Sequence, residues 1–180
     1  MPFTIFESPV GPLTLVAGDD GLRHLYFPRR APGLDHEDED PFPFAAATAQ
    51  LEQYFNGERT TFELPLDYHG TPFQQRVWRA LQQIPCGTTT TYGALARQLR
   101  SGRSGGVHDA RAVGAAVGAT PIPIVIPCHR VIGADGSLTG YGGGLHRKRV
   151  LLAFEASGGD RAALDGAWRQ RQLAFTLGHE

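Results

Sequence analysis

The sequence predicts an α+β protein, with a small α/β module over residues 1–69 and a mainly helical domain over residues 70–180. Three observations predict it. Apolar residues alternate singly near the start and recur at helical spacing after Gly70. Charge divides at the same place: residues 1–70 hold 12 acidic and 4 basic residues, residues 71–180 hold 6 and 13. The length, 180 residues, suits one ordinary domain or two small ones.

Along the chain, FTIFESPVGPLTLVAGDDGLRHLYFP reads as two or three strands, with Asp20-Gly21 as a hairpin turn. RRAPGLDHEDEDPFP is a polar loop whose acidic run, Asp35–Asp40, reads as a solvated surface. FAAATAQLEQYFNG is a helix stopped by Gly57, and RTTFELPL a further strand. In TPFQQRVWRALQQIPCG, Thr71 is an N-cap and Pro72 the first helical residue. Phe73, Val77, Ala80, Leu81 and Ile84 form its apolar stripe. TYGALARQLR is a second helix, started by the Thr88–Thr91 run, and ARAVGAAVGA a third made of small residues. This pair, joined by the long loop SGRSGGVHD, has the form of a helix-turn-helix. VIGADGSLTGYGGG is a hairpin turning at Asp135-Gly136, as a winged variant requires. GLHRKRVLLAFEASGG is a fourth helix, with Leu145, Val150, Leu151 and Phe154 facing inward.

Composition narrows the function classes. Hydrophobic residues are 41% and charged residues 19%, as in an ordinary globular protein. No apolar run of membrane-spanning length occurs, and the start lacks a signal peptide's basic and apolar blocks, so the expected location is the cytoplasm. Cys86 and Cys128 are the only cysteines, too few for a disulfide framework or a zinc site. The basic second half suggests a polyanionic partner.

Chemistry concentrates in PIPIVIPCHRVIG. An apolar, proline-stiffened approach ends at Cys128, followed directly by His129 and Arg130. Proline presets the backbone, and the two basic side chains favour a thiolate nucleophile. If the segment is extended, His129 points away from Cys128 and acts through a water or holds the loop. A carboxylate fixing the imidazole would complete a Cys–His–acid relay, and Glu155, in apolar surroundings, is the candidate. Cys86 has no basic neighbour and reads as structural.

IPCHRVIGADGSLTGYGGGLHRKRVLLAFE, with TPFQQRVWRALQQIPCGTTTTYGALA and ARAVGAAVGATPIPIVIPCHR, resembles the O6-alkylguanine-DNA alkyltransferases, the methylated-DNA–protein-cysteine methyltransferases. The likeness runs from about Gly70 to Glu155. It implies a winged helix-turn-helix after a ribonuclease-H-like N-terminal module. It implies single-turnover repair, in which an alkyl group passes irreversibly from O6 of guanine, or O4 of thymine, to Cys128 after base flipping. By resemblance, His129 takes the thiol proton through a water and Glu155 orients it. Tyr92 hydrogen-bonds the flipped base, the Val131 backbone reads the guanine edge, the Gly142 N–H holds O6, and Tyr141 packs on the base. Arg111 is the finger that fills the vacated stack. Ala112, Gly114, Ala115 and Gly118 let its helix approach the minor groove. Arg130, grouped with the DNA-binding residues, matches an arginine usually structural in the family.

The partner implied is double-stranded DNA carrying O6-alkylguanine, met by a monomer in the minor groove without cofactor or metal. The first 70 residues lack the cysteines with which human-type relatives bind zinc. Arg147, Lys148 and Arg149 read equally as phosphate contacts or solvated charges. Thr120 stands where the family usually has Asn, and the 101–109 loop exceeds the family norm, with Arg103 a DNA contact if it has one. The alternatives are a non-repairing alkyltransferase-like damage sensor, a thiol hydrolase using Cys128, His129 and Glu155, and a plain winged-helix regulator.

Overall fold

A computed structural model describes residues 1–28, 33–34, 38–101 and 109–177. The acidic run is therefore described only in part, and Arg103 lies outside the described residues.

The alternating segment forms an antiparallel meander of β1 (Phe3–Ser8), β2 (Gly11–Ala17) and β3 (Leu22–Tyr26), in that spatial order. Register runs from Phe3↔Val16 to Ser8↔Gly11 and from Thr14↔Tyr26 to Ala17↔Leu22, with a bulge at Val16/Ala17. Leu13, Leu15, Leu22 and Leu25 are buried against α1 (Ala45–Phe55), which contributes Leu51, Tyr54 and Phe55. The strand expected in RTTFELPL is a correction. That stretch makes only one bridge, where the Leu22 N–H donates to Pro65 O and the Asp67 N–H to Leu22 O. The Arg23–Asp67 ion pair then pins the chain to β3.

The second domain starts as its caps dictate. Thr71 and Gln74 form a reciprocal capping box at α2 (Pro72–Leu81), with Pro72 at the first turn. Thr91 Oγ1 accepts from the Ala94 N–H at the head of α3 (Tyr92–Ser101), and Asp109 caps α4 (Ala110–Gly118). α3 and α4 pack on each other and α4 on α2, where the Trp78 indole N–H donates to Ala116 O at 2.9 Å. Between α3 and α4, residues 102–108 lie outside the described residues.

The wing departs from expectation. Asp135-Gly136 turns the chain, with Gly133 N–H donating to Ser137 O at 2.9 Å, but among the described residues no return strand pairs with β5 (Val131–Ile132). β5 runs parallel to β4 (Thr90–Thr91) instead. In α5 (Leu145–Ala156), Val150, Leu151 and Phe154 face inward as expected, whereas Leu145 is exposed and Lys148 fully buried. α6 (Arg161–Leu177), an element beyond those expected from the sequence, packs on α5 and buries Leu164.

One apolar core runs through both parts of the chain. Polar ties cross with it: the Leu25 N–H donates to Pro121 O at 3.0 Å, and Arg147 Nε to Val10 O at 2.8 Å. No described helix is long and apolar enough to cross a membrane.

Candidate active site

The apolar approach does what its composition implies. Ile122, Ile124 and Ile126 are all buried, and the segment is folded on itself by an Ile126 N–H to Ile122 O bond of 2.9 Å. Ile124 adopts φ +75°, a backbone state that costs a β-branched residue energy and that persists where packing over-determines it. The chain then enters a single 3₁₀ turn, Cys128–Arg130. This corrects the extended geometry expected there, so strand alternation does not set the direction of His129.

Cys128 is buried, at 5% exposure, yet lines a cavity of about 530 Å³. Burial pushes its thiol up to about 11, and the Thr120 hydroxyl and the Lys148 charge offset only part of that. The resting group is a thiol at neutral pH.

His129 is fully buried, and its Nε2 lies 2.8 Å from Glu155 Oε1. Burial holds its pKa below the ordinary imidazole value, while Glu155 pulls the other way. An ionised carboxylate only accepts, so Nε2 carries the proton and Nδ1 is the basic nitrogen. Nδ1 has no protein partner among the described residues.

Glu155 is no exposed helix residue. Oε1 also accepts from Tyr54 OH at 2.8 Å and Arg130 Nη2 at 2.9 Å, and Oε2 from Arg130 Nε at 2.9 Å and the Gly87 N–H at 3.3 Å. Burial alone would raise its pKa, but the His129 and Arg130 bonds and charges hold it far below the usual carboxylate range. Gly87 sits at φ +77°, where a side chain would be strained, and its missing Cβ would stand 3.1 Å from the Glu155 carbonyl. Arg130, 5% exposed, is committed to Glu155 and to Ile84 O. Its grouping with the DNA-facing residues is corrected: it is an internal strut.

Lys148 is the residue that sequence reasoning misjudged most. It is not a phosphate contact: its ammonium is buried and donates to Val131 O at 2.6 Å and Thr139 O at 3.0 Å. The signal was available in register, because 148, 151 and 155 lie on one helical face. Arg147 likewise turns inward, donating to Val10 O and Gly143 O between the rings of Phe27 and Trp168. Arg149 is exposed.

The other expected residues divide between two concavities. Tyr92 and exposed Arg111 line a groove of about 820 Å³ with Gly114 and Ala134. The Tyr92 hydroxyl lies 3.5 Å from Thr139 O. Thr120 lines the Cys128 cavity, and its hydroxyl donates to Val117 O at 2.7 Å. Tyr141 and Gly142 line both concavities and so mark where they meet. The Tyr141 hydroxyl is buried without a partner among the described residues. Val131 lines neither; its N–H caps Cys128 O, and its carbonyl has one lone pair left beyond the Lys148 bond. Among the described residues, no group of three or more His, Cys, Asp or Glu side chains could hold a metal ion.

The whole is a buried thiol lining a cavity, followed in the chain by a carboxylate-anchored imidazole, and that cavity shares residues with a groove lined by an exposed arginine. Comparison with known proteins fits that chemistry. The DNA-binding domain of the 6-O-methylguanine DNA methyltransferases matches residues 72–157, and their ribonuclease-like domain matches residues 1–68. A methylated-DNA–protein-cysteine methyltransferase of Mycobacterium tuberculosis is 49% identical over 157 residues, which cover 86% of this chain and 92% of that one. One from Methanosarcina acetivorans is 44% identical over 160 residues, covering 87% and 99%. Among solved structures, Mycobacterium tuberculosis OGT in complex with DNA superposes with a TM-score of 0.79 at 46% identity, covering 91% of this chain and 99% of that one.

Proposed function

The chain belongs to the 6-O-methylguanine DNA methyltransferase family and performs its DNA-repair methyl transfer to a protein cysteine, and on that premise we propose that Cys128 is the acceptor. The observation that carries this is the relay: a thiol opening onto a cavity, followed by an imidazole whose Nε2–H is anchored on Glu155.

The relay assigns the steps. Nδ1 of His129 takes the Cys128 proton through a bridging water as sulfur attacks the carbon on O6. The carbon–O6 bond breaks, and its electron pair passes to the guanine, whose departure the Tyr92 hydroxyl assists by donating a hydrogen bond. Glu155 stabilises the imidazolium that forms, as the acid of a nucleophile–base–acid triad does. The thioether product offers water no leaving group, so each chain acts once. Lys148, a positive charge near the sulfur, favours the developing thiolate.

The DNA-facing reading follows from the groove. The chain binds DNA, as the Mycobacterium tuberculosis relative does in its complex. Arg111 enters the stack as the base leaves, and the small residues Gly114 and Gly118 allow close approach to the minor groove. Tyr141 packs on the flipped base, the Gly142 N–H holds O6, and the remaining Val131 lone pair reads the guanine edge. O4-alkylthymine is a second substrate. Residues 1–69 and 70–180 are the two modules of a monomer that works in the cytoplasm, without cofactor.

The test is an intact mass after incubation with a duplex carrying O6-methylguanine. One methyl added per chain, absent in Cys128→Ala, is expected. No gain in mass despite tight DNA binding would overturn the acceptor role and favour a damage sensor. Turnover beyond one methyl per chain would also overturn it.

A further inference from the structure

Methyl transfer uses only the part of the Cys128 cavity next to the sulfur. A methyl group occupies about the volume of one water molecule, on the order of 30 Å³, whereas the cavity measures about 530 Å³. The base itself lies toward the groove side, between Tyr92, which does not line this cavity, and the Tyr141–Gly142 stretch that joins the two concavities. An in-line displacement places sulfur, carbon and O6 on one axis. The rest of a larger substituent must therefore spread sideways from that axis, into whatever wall the cavity offers.

Much of that wall comes from the N-terminal module. His24 and Tyr26, two apart on β3, line it, as does Phe27 just beyond. The placement is built in rather than incidental. The Leu25 N–H donates to Pro121 O at 3.0 Å, which fastens β3 to the segment leading to Cys128. Phe27 is 2% exposed and packs on Tyr141 with ring centroids 5.6 Å apart. The His24 and Tyr26 rings stack at 5.1 Å with 23° between planes, and both are half-buried. Burial, with the charges of Arg23 and His69, disfavours protonation of His24. The rigid ring of Pro123 contributes to the same cavity. A stacked imidazole–phenol pair offers an apolar face with polar tips, suited to another ring or to an extended chain.

We propose that the N-terminal module is a specificity element of the reaction, its stacked His24–Tyr26 pair receiving the distal part of O6 substituents larger than methyl, aromatic ones above all. This rests on the reading of Cys128 as alkyl acceptor. It gives the module a chemical task beyond support, because the strand that completes the core also completes the cavity.

The test measures single-turnover transfer by the full chain from two duplexes, one carrying O6-methylguanine and one O6-benzylguanine. Tyr26→Ala lowers the benzyl rate roughly 2- to 13-fold, the worth of one aromatic contact, and leaves the methyl rate that of the unchanged chain. Tyr26→Phe keeps both rates, since the ring and not the hydroxyl makes the contact. His24→Ala lowers the benzyl rate alone, and stands in if Tyr26→Ala does not fold. A benzyl-to-methyl ratio unchanged in the alanine variants, or both rates falling together, overturns the proposal. If the unchanged chain alkylates Cys128 with neither substrate, the acceptor reading itself fails, an outcome distinct from an unchanged ratio.

Discussion

Replacing Glu155 by Gln removes one charge and almost no volume, which isolates what the carboxylate does. Four groups donate five hydrogen bonds to it: Tyr54 OH, His129 Nε2, the Gly87 N–H, and Arg130 twice. A carboxamide accepts on one atom only, so its NH₂ must face Arg130 in either orientation. Arg130, 5% exposed, then carries a buried charge with no counter-ion. Breaking such a pair from one side costs about 3–5 kcal/mol. For a chain of this size each kcal/mol lowers Tm by about 2–4 °C, so a fall of roughly 6–20 °C is expected. Chemistry suffers separately. If the NH₂ faces His129, the imidazole reverses its tautomer and Nδ1 ceases to be a base. The wrong tautomer in a serine-protease triad costs on the order of 10⁴ in rate, and a loss of 10³ or more is expected here. The pH dependence has a definite sign. Glu155 has a depressed pKa in the fold, so its stabilisation is present above its ordinary unfolded value of 4.5 and is lost as pH falls through the folded value. The Tm gap between the parent chain and Glu155→Gln therefore narrows in acid. Thermal unfolding across pH, with single-turnover transfer measured well below Tm, reads all three effects. A variant within about 1 kcal/mol of the parent stability and within tenfold of its rate would refute the network argument.

Other expectations follow from the same residues. With its pKa pushed up from 9.0 to about 11 by burial, Cys128 reacts with iodoacetamide about a hundredfold more slowly at pH 8 than in the urea-unfolded chain, apart from steric shielding. Its rate climbs about tenfold per pH unit until near 11, and a plateau below pH 9 would contradict this. Thr120→Asn supplies two donors where the hydroxyl has a single proton to share between Val117 O and the Cys128 sulfur. One amide proton then reaches the sulfur and lowers the Cys128 pKa by about a unit, in keeping with a charge-assisted bond worth ~1.5–3 kcal/mol. An unchanged or higher pKa in the alkylation profile would count against that. Arg111→Ala slows transfer from duplex DNA at least tenfold more than transfer from the isolated base O6-benzylguanine, and equal losses on both would end the intercalation role.

Local chemistry was legible in the sequence because its causes are local. Thr71 caps α2 through a residue three positions away, and Pro72 fits the first turn. Small residues pack α4 closely against its neighbours, and alternation marks β1 to β3. The proposed nucleophile and its proposed base stand out in the sequence for the same reason, since Cys128 and His129 are adjacent. Errors came where distant groups decide. RTTFELPL has strand composition, but it meets β3 in the single bridge Leu22↔Leu66. The wing turn at Asp135-Gly136 is local and visible in the sequence, yet β5 pairs with β4, some forty residues earlier.

Charge shows the division most plainly. In sequence, Arg147, Lys148 and Arg149 read equally as phosphate contacts or solvated charges, while Arg130 adjoins the active-site pair and matches an arginine usually structural in the family. Only packing tells them apart: Arg130 clamps Glu155, Arg147 ties Val10 to Gly143, Lys148 is sealed beneath Val131 and Thr139, and Arg149 is exposed. By itself the sequence determined where the proposed reaction centre lies, because Cys128, His129 and the stiffened backbone before them are neighbours along the chain. The tertiary structure alone decided the settings of that centre. Tyr54, 101 residues from Glu155, helps anchor the carboxylate, and β3, about a hundred residues before Cys128, walls its cavity. Burial and electrostatic environment depend on what lies across space, and contacts over such separations leave no periodicity in the chain to read.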